Sequence, residues 1–454
     1  MAYESINPAD GKTLKIFEVW DDRQIEPALE QAADAALQWS ETPLSERCDG
    51  IRRVAKVLRS RTEDLARIMT LEMGKLIKES CAEVEKCAWA CDYYAGHAAQ
   101  FLADEPIATD AANSYVAYQP LGTVLAVMPW NFPLWQVFRF AVPALTGGNT
   151  GVLKHASNVP QCALAIEQVF RDAHLPEGVF RTLMISAKQV SKVIADPRIH
   201  AVTLTGSESA GKKVAACAGE NLKKTVLELG GSDAFIVLED ANLEETVNNA
   251  VASRFLNAGQ SCIAAKRFIV IDRIADEFVK QFKDRVEKLT MGDPLDETTT
   301  LAPMARIDLR DELHQQVMAS IKHGAVVVTG CEPHAGPGAF YPASIMDHVK
   351  DGMPAYHEEL FGPVASVIRV RDEHDALRIA NGSRFGLGGS IWTTDIKRGE
   401  ALARRVQAGA VFINGMVKSD PRLPFGGVKA SGYGRELSYH GLHEFLNVKT
   451  IWIK

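Results

Sequence analysis

A single thiol closes a turn-forming run, and it is the first side chain in this chain with evident chemical potential. Phe255-Leu256-Asn257-Ala258-Gly259-Gln260-Ser261-Cys262 lies between a helical pattern at 243–255 and the apolar run Phe268-Ile269-Val270-Ile271. A cysteine displayed on a Gly-containing turn can expose its sulfur while its own backbone N–H faces a reacting oxygen. Most free cysteines are only buried apolar side chains, so the reading depends on companions. Two stand out. Asn131, in Pro129-Trp130-Asn131-Phe132-Pro133, carries an amide able to donate to an oxyanion, although the same residue also suits a turn before a proline. Glu228 sits inside the apolar run Thr225–Leu229, just before Gly230-Gly231. An unpaired carboxylate there is costly, so Glu228 requires either a cationic partner or a task such as general base.

These residues need a scaffold, and the hydrophobic pattern supplies one. From Gly122 onward short apolar runs alternate with helical stretches: Val124–Met128, a helix from Pro133, Val152–Leu153, a helix from Pro160, then Phe180–Ile185, a helix near 188–195, Ala201–Leu204, a helix near 208–218, and Thr225–Leu229. Such alternation predicts a parallel sheet covered on both faces. Ligands of these sheets bind at the carboxyl ends of the strands. The polar residues do follow the runs: Asn131, then Lys154 to Ser157, then Thr205-Gly206-Ser207, then Glu228 to Gly231. A Gly-Ser turn entering a helix offers free N–H groups to a phosphate. The G-x-G-x-x-G fingerprint itself is absent. A second alternation spans about 232 to 420 and carries Cys262, Glu359-Leu360-Phe361-Gly362-Pro363 and Phe412-Ile413-Asn414-Gly415. Residues 23–104 read as helical, with Trp89 to Tyr94 as a packing face, and 448–453 as a final strand.

Composition narrows the function classes. A chain of 454 residues with 24% charged residues is long enough for two domains. A net charge of −7 without a basic block disfavours nucleic acid and membrane surfaces as partners. The N-terminus lacks a signal-peptide pattern, and no apolar run reaches the length of a membrane span. Eight cysteines without Cys-x-x-Cys or a His cluster at ligand spacing indicate a reduced, cytoplasmic protein with no metal site.

Together, Pro-Trp-Asn-Phe-Pro (129–133), Thr-Gly-Ser (205–207) with Gly211, Leu-Glu-Leu-Gly-Gly (227–231), Gly-Gln-Ser-Cys (259–262), Glu-Leu-Phe-Gly-Pro (359–363) and Pro-Phe-Gly-Gly (424–427) resemble the aldehyde dehydrogenase superfamily over nearly the whole chain. The resemblance implies an α/β fold of the aldehyde dehydrogenase type, with two doubly wound parallel-sheet domains and a small β oligomerisation element. It places a dinucleotide-binding domain at 1–105 and 122–230, a catalytic domain at 231–430, and the oligomerisation element at 106–121 and 431–454. It implies that Cys262 attacks the aldehyde, Asn131 and the Cys262 N–H hold the oxyanion, and Glu228 activates the water that hydrolyses the thioester. On the cofactor side it implies Lys154 at the adenosine ribose, Ser207 at the pyrophosphate and Glu359 at the nicotinamide ribose, with Trp130 and Phe361 lining the cleft. Ser157 stands where members devoted to NAD carry glutamate. A serine beside Lys154 lacks the charge that repels a 2′-phosphate, which predicts that NADP is preferred and NAD also used. The same serine also suits a cap on the helix at Pro160.

The substrate side is similar to succinate-semialdehyde dehydrogenases: Arg139 on the helix after Asn-Phe-Pro and Ser419 before Pro-Phe-Gly-Gly would hold a distal carboxylate. Two positions depart from that group. Its second arginine is Leu256 here, with Arg254 two residues earlier, and a second cysteine found in some members is Ala264. The expected partner is thus a small aldehyde with a distal carboxylate. Alternatives are another aldehyde such as glutarate semialdehyde, a cysteine acyl hydrolase or transferase without redox chemistry, or a non-catalytic protein on the same fold. The terminal strand and the 106–121 excursion imply a homodimer or homotetramer.

Overall fold

The computed structural model describes residues 2–454. Its first large sheet has six strands in the order Gly432–Tyr433, Lys224–Glu228, Ile199–Thr205, Thr123–Met128, Thr150–His155, Phe180–Thr182. All are parallel except the two-residue edge strand Gly432–Tyr433, which runs antiparallel to Lys224–Glu228. The second sheet has seven strands, Val326–Thr329, Ser344–Asp347, Val364–Val370, Ala265–Ile271, Asp233–Val237, Gly388–Trp392 and Ala410–Ile413, with only Val326–Thr329 antiparallel.

The continuous apolar runs exist because both faces of each sheet are covered. In the strand Thr123–Met128, Val124 and Ala126 pack on one side with Ile51, Val54 and Cys87, whereas Leu125 packs on the other with Ile25, Leu29 and Ile194. The strand Asp233–Val237 repeats this, sending Phe235 and Val237 to one core and Ala234 and Ile236 to another. Both strand patterns are the period of two expected of a pleated backbone.

A third sheet pairs the terminal strand Leu446–Ile453 with Asn113–Pro120, and Asn113–Pro120 with Glu105–Pro106. The structure thus moves both sequence-drawn edges of this element. Glu105 belongs to it, whereas Gly432–Tyr433 closes the first sheet, because Gly432 pairs directly with Glu228. Ala2–Ile6 and Thr13–Glu18 form a separate antiparallel pair.

The helix that follows Asn131 begins at Trp135, two residues later than Pro133 suggests. Its first turn is held by Glu83, from the helix Ile77–Phe101, whose carboxylate accepts from the backbone N–H groups of Leu134 and Trp135 at 2.9 Å each. Glu83 is ion-paired in turn with Lys75, and both side chains are buried. Lys75 also lies over the Phe132 ring at 3.8 Å. This buried pair sets where the helix carrying Gln136 and Arg139 starts. Lys75→Met leaves the Glu83 charge buried without a cation and is expected to lower stability by roughly 3–5 kcal/mol. Adding Glu83→Gln, which can still accept from Leu134 and Trp135, should recover part of that loss. Urea unfolding of both variants checks this, and a double variant no more stable than Lys75→Met would refute the electrostatic account.

Candidate active site

The two large sheets meet where the chain crosses from one to the other. Glu228 ends a strand of the first sheet, Leu229 to Ser232 cross over, and Asp233 begins a strand of the second. Cys262 precedes the neighbouring strand Ala265–Ile271. It is displayed by an unusual turn: Asn257, Ala258 and Gly259 are all left-handed, at φ 54°, 51° and 72°. Such a conformation costs a residue with a Cβ about 1–2 kcal/mol. At Gly259 a Cβ would also meet the Gly362 carbonyl oxygen at 2.4 Å, so only glycine fits.

Side chains of this segment hold the turn in place. Asn257 donates through Nδ2 to the Asn131 carbonyl at 2.7 Å, and Gln260 accepts from the Ala305 N–H at 2.8 Å. Arg254, fully buried, donates to the carbonyls of Ala265 (3.2 Å), Leu360 (2.9 Å) and Gly362. Lys266 donates to the carbonyls of Ser261 and Cys262 at 2.8 Å each. Arg254 is therefore spent on backbone, and it does not replace the arginine missing at Leu256. Desolvation lowers its guanidinium to about 9.

Asn131 faces this turn. Its Nδ2 donates to the Gln260 carbonyl at 2.9 Å, and its Oδ1 accepts from Gln136 Nε2 at 3.0 Å. The second bond fixes which end of the amide is the donor. The Cys262 N–H donates to no acceptor among the described residues. Asn131 and Cys262 line the same cavity.

Cys262 opens on two cavities. The larger, about 300 Å³, is lined by Trp130, Asn131, Ser207, Gly230, Glu359 and Phe361, among others. Trp130 and Phe361 meet edge to face with centroids 5.8 Å apart. Ser207 caps the helix Glu208–Glu220, accepting from the Ala210 N–H at 3.3 Å. Gly211 lets that helix close on its sheet, since a Cβ there would meet Leu229 Cδ2 at 2.6 Å. Glu359 is aimed by the Gly231 N–H at 3.0 Å and by Lys266 at 3.3 Å. Lys154 and Ser157 lie away from this cleft, at the end of the strand Thr150–His155 and just past it. The buried Lys154 ammonium is pushed down by desolvation. Ser157 is exposed on a groove with Asn158 and Arg306. It does not cap the helix Pro160–Asp172; the buried Glu72 carboxylate does, accepting from the N–H groups of Gln161 (2.8 Å) and Cys162 (2.9 Å).

The smaller cavity, about 100 Å³, is lined by Cys262, Leu256, Arg139, Ser419, Trp135 and Lys86. Arg139 is only 2% exposed and is ion-paired with Glu436, while its Nη2 donates to Thr205 Oγ1 at 3.3 Å and its guanidinium lies over Phe425 at 4.5 Å. A free arginine fork, as the sequence suggested, is not what the structure presents: Arg139 arrives already paired. Glu436, Lys86, Lys266 and Glu83 escaped the sequence reading. Glu83 had a visible signal, a carboxylate at helical spacing from the buried Cys87 and Ala90.

Glu228 does not line either cavity. It stands behind, 2% exposed, with both carboxyl oxygens lacking hydrogen-bond partners. Burial, reinforced by the neighbouring Glu436, pushes its carboxyl well above the usual carboxylate range. In this position its charged form is disfavoured.

The profile of the Aldehyde dehydrogenase family matches residues 1–451. The chain is 50% identical over 448 residues to succinate semialdehyde dehydrogenase [NAD(P)+] Sad of Escherichia coli, covering 99% of this chain and 97% of the relative. It is 48% identical over 457 residues to succinate-semialdehyde dehydrogenase [NADP(+)] of Mycobacterium avium, covering 100% and 97%. Among solved structures, the succinic semialdehyde dehydrogenase of Streptococcus pyogenes in complex with NADP+ superposes with a TM-score of 0.98 at 41% identity, over 100% of both chains.

Desolvation pushes the Cys262 thiol up to about 12, against smaller opposing effects of Arg139 and Lys266. Without cofactor the group is thus a thiol at neutral pH. Alkylation by iodoacetamide, followed on the Cys262 peptide by mass spectrometry, should keep rising about tenfold per pH unit through pH 10. A plateau near pH 8.5 would show an ordinary thiol instead.

Proposed function

Because the chain belongs to the aldehyde dehydrogenase family, we propose that it oxidises succinate semialdehyde to succinate, with NADP preferred and NAD accepted. One observation carries this reading: a single cysteine joins a cleft lined by Ser207 and Glu359 to a small pocket lined by cations and a serine.

The protein groups divide the work as follows. Cys262, once its thiol proton has passed to solvent, bonds as thiolate to the aldehyde carbon, and the carbonyl oxygen becomes an oxyanion facing the Asn131 amide and the Cys262 N–H. Each such donor is worth roughly 3–4 kcal/mol in the barrier. The chemistry a bound NADP supplies is hydride acceptance, which turns the thiohemiacetal on Cys262 into a thioester. Glu228 then takes a proton from water, whose oxygen attacks the thioester carbon; the C–S bond breaks, succinate leaves and the Cys262 sulfur is released as the thiolate, to which Glu228 can return the proton. For that step the Glu228 carboxyl turns from its buried position toward the cleft, where solvation favours its ionised form.

The chain's residues fit a phosphorylated dinucleotide. The 13-residue helix after Ser207 opens its N-terminus on the cleft. Lys154 is a buried ammonium with no carboxylate at ion-pair distance among the described residues. Ser157 beside it is exposed and is not engaged as a helix cap, which leaves its hydroxyl for a 2′-phosphate. Assembly as a dimer or dimer of dimers is supported by the open edge of Leu446–Ile453, where Val448, Trp452 and Ile453 are 62%, 49% and 47% exposed. Eight unpaired thiols suit the cytoplasm. Light scattering gives the subunit number directly.

Steady-state assays on two variants test the scheme. Ser157→Glu places a like charge against a 2′-phosphate, so kcat/KM with NADP should fall about tenfold to hundredfold relative to NAD. An unchanged ratio would leave Ser157 without a part in cofactor choice. Glu228→Gln should keep a burst of NADPH, one per site, yet lose about 10²–10⁴-fold in steady-state turnover. Loss of the burst would place Glu228 before acylation instead.

A further inference from the structure

Lys86 is, with the exposed Lys418, one of two charged side chains of the small pocket that the sequence motifs do not single out. It projects from the helix Ile77–Phe101, lies 4.4 Å over the Trp135 ring, and its Nζ donates to Ser419 Oγ at 2.7 Å. Trp135 Nε1 donates to the same oxygen at 3.0 Å. A hydroxyl oxygen has two lone pairs, and here both are taken by donors. The Ser419 hydroxyl proton is therefore directed away from them, free to be donated within the pocket.

Charge pairing separates Arg139 from Lys86; the third cation of the lining, Lys418, is exposed. Arg139 has Glu436 as counter-ion. The carboxylates that act electrostatically on Lys86 are Glu83 and Asp420. Glu83 is committed to Lys75, and Asp420 to Arg422 at 2.7 Å. Among the described residues Lys86 forms no ion pair, and Leu256 brings no charge to the opposite wall. Of the lining cations that are not exposed, Lys86 is thus the one without a counter-ion, and Arg139 contributes mainly through its remaining N–H groups.

We propose that Lys86 is a carboxylate-binding residue: its ammonium, with the Ser419 hydroxyl it orients, holds the distal carboxylate of the aldehyde while the other end meets Cys262. The proposal rests on the reading that the substrate carries such a carboxylate, and it assigns the charge that the arginine absent at position 256 would otherwise bring.

Desolvation, with the nearby Arg139 charge adding to it, lowers the Lys86 ammonium to about 8, opposed weakly by Cys87, Glu83 and Asp420. The free enzyme loses this charge as pH rises through that value, and kcat/KM reports free-enzyme groups. An arginine at the same position stays charged.

The test compares succinate semialdehyde with butanal, an uncharged aldehyde of equal length, on wild type, Lys86→Met and Lys86→Arg. The ratio of kcat/KM values, succinate semialdehyde over butanal, should fall about 10–100-fold in Lys86→Met, mostly through KM, with partial recovery in Lys86→Arg. In wild type the ratio should decline above pH 8, and in Lys86→Arg it should hold. Equal losses on both aldehydes, or no loss on either, would overturn the proposal, the first by making Lys86 only a prop for Trp135. If wild type shows no preference for succinate semialdehyde, the proposed substrate is wrong. Lys86 is then judged by succinate inhibition of butanal oxidation: weaker inhibition in Lys86→Met supports it, and an unchanged inhibition constant overturns it.

Discussion

Everything at the junction of the two sheets depends on keeping three consecutive residues, Asn257 to Gly259, in a left-handed turn. The conformation is unfavourable in itself, so surrounding bonds must impose it. Two buried cations do so from opposite sides. Arg254 gathers the carbonyls of Gly259, Ala265, Leu360 and Gly362, and Lys266 gathers those of Ser261 and Cys262. Because Lys266 also pairs with Glu359, the nucleophile and one wall of the larger cleft are fixed by one ammonium group. Displacing either would let the turn relax and carry the sulfur away from Asn131.

The helix bearing Asn131's partners is set with similar care. Glu83 accepts from its first two N–H groups and Lys75 neutralises Glu83. Gln136 on that helix then fixes the Asn131 amide, and Arg139, one turn further, reaches the small pocket. The same helix therefore orients the oxyanion donor and a wall of the substrate pocket. An error of a single residue in its start would rotate both by about 100° around the helix axis.

Much of this was legible in the sequence, and the reasons are local. Runs such as Val124–Met128 announce a strand buried on both faces, and polar residues just past each run mark the carboxyl ends where ligands gather. Cys262, Asn131, Ser207, Glu359, Trp130 and Phe361 do line one cleft. What escaped depends on pairings across long sequence separations. Glu436 lies 297 positions from Arg139 along the chain and Ser419 lies 333 from Lys86, and no periodicity links either pair. A short edge strand such as Gly432–Tyr433 is invisible for the same cause: two residues carry no pattern. Arg254 looked like a spare cation because a sequence does not reveal that its neighbours' carbonyls need a donor.

Arg139 is ion-paired with Glu436, and the buried Glu228, which forms no ion pair, feels both of them together with Arg435 and Glu444. Two ionised carboxylates there would leave one negative charge unpaired in a dry environment, which is strongly disfavoured. Glu436 holds the ion pair, so the ionised form is the more disfavoured at Glu228, whose carboxyl burial pushes well above the usual carboxylate range. Its protonation and its position are consequently linked. The retracted place accommodates the acid, and only a place reached by water accommodates the base. A carboxyl held in this way keeps its proton while it is retracted and would lose it more readily where water reaches it. The coupling follows from the low polarity of the junction alone, and any change that admitted water behind Glu228 would remove it.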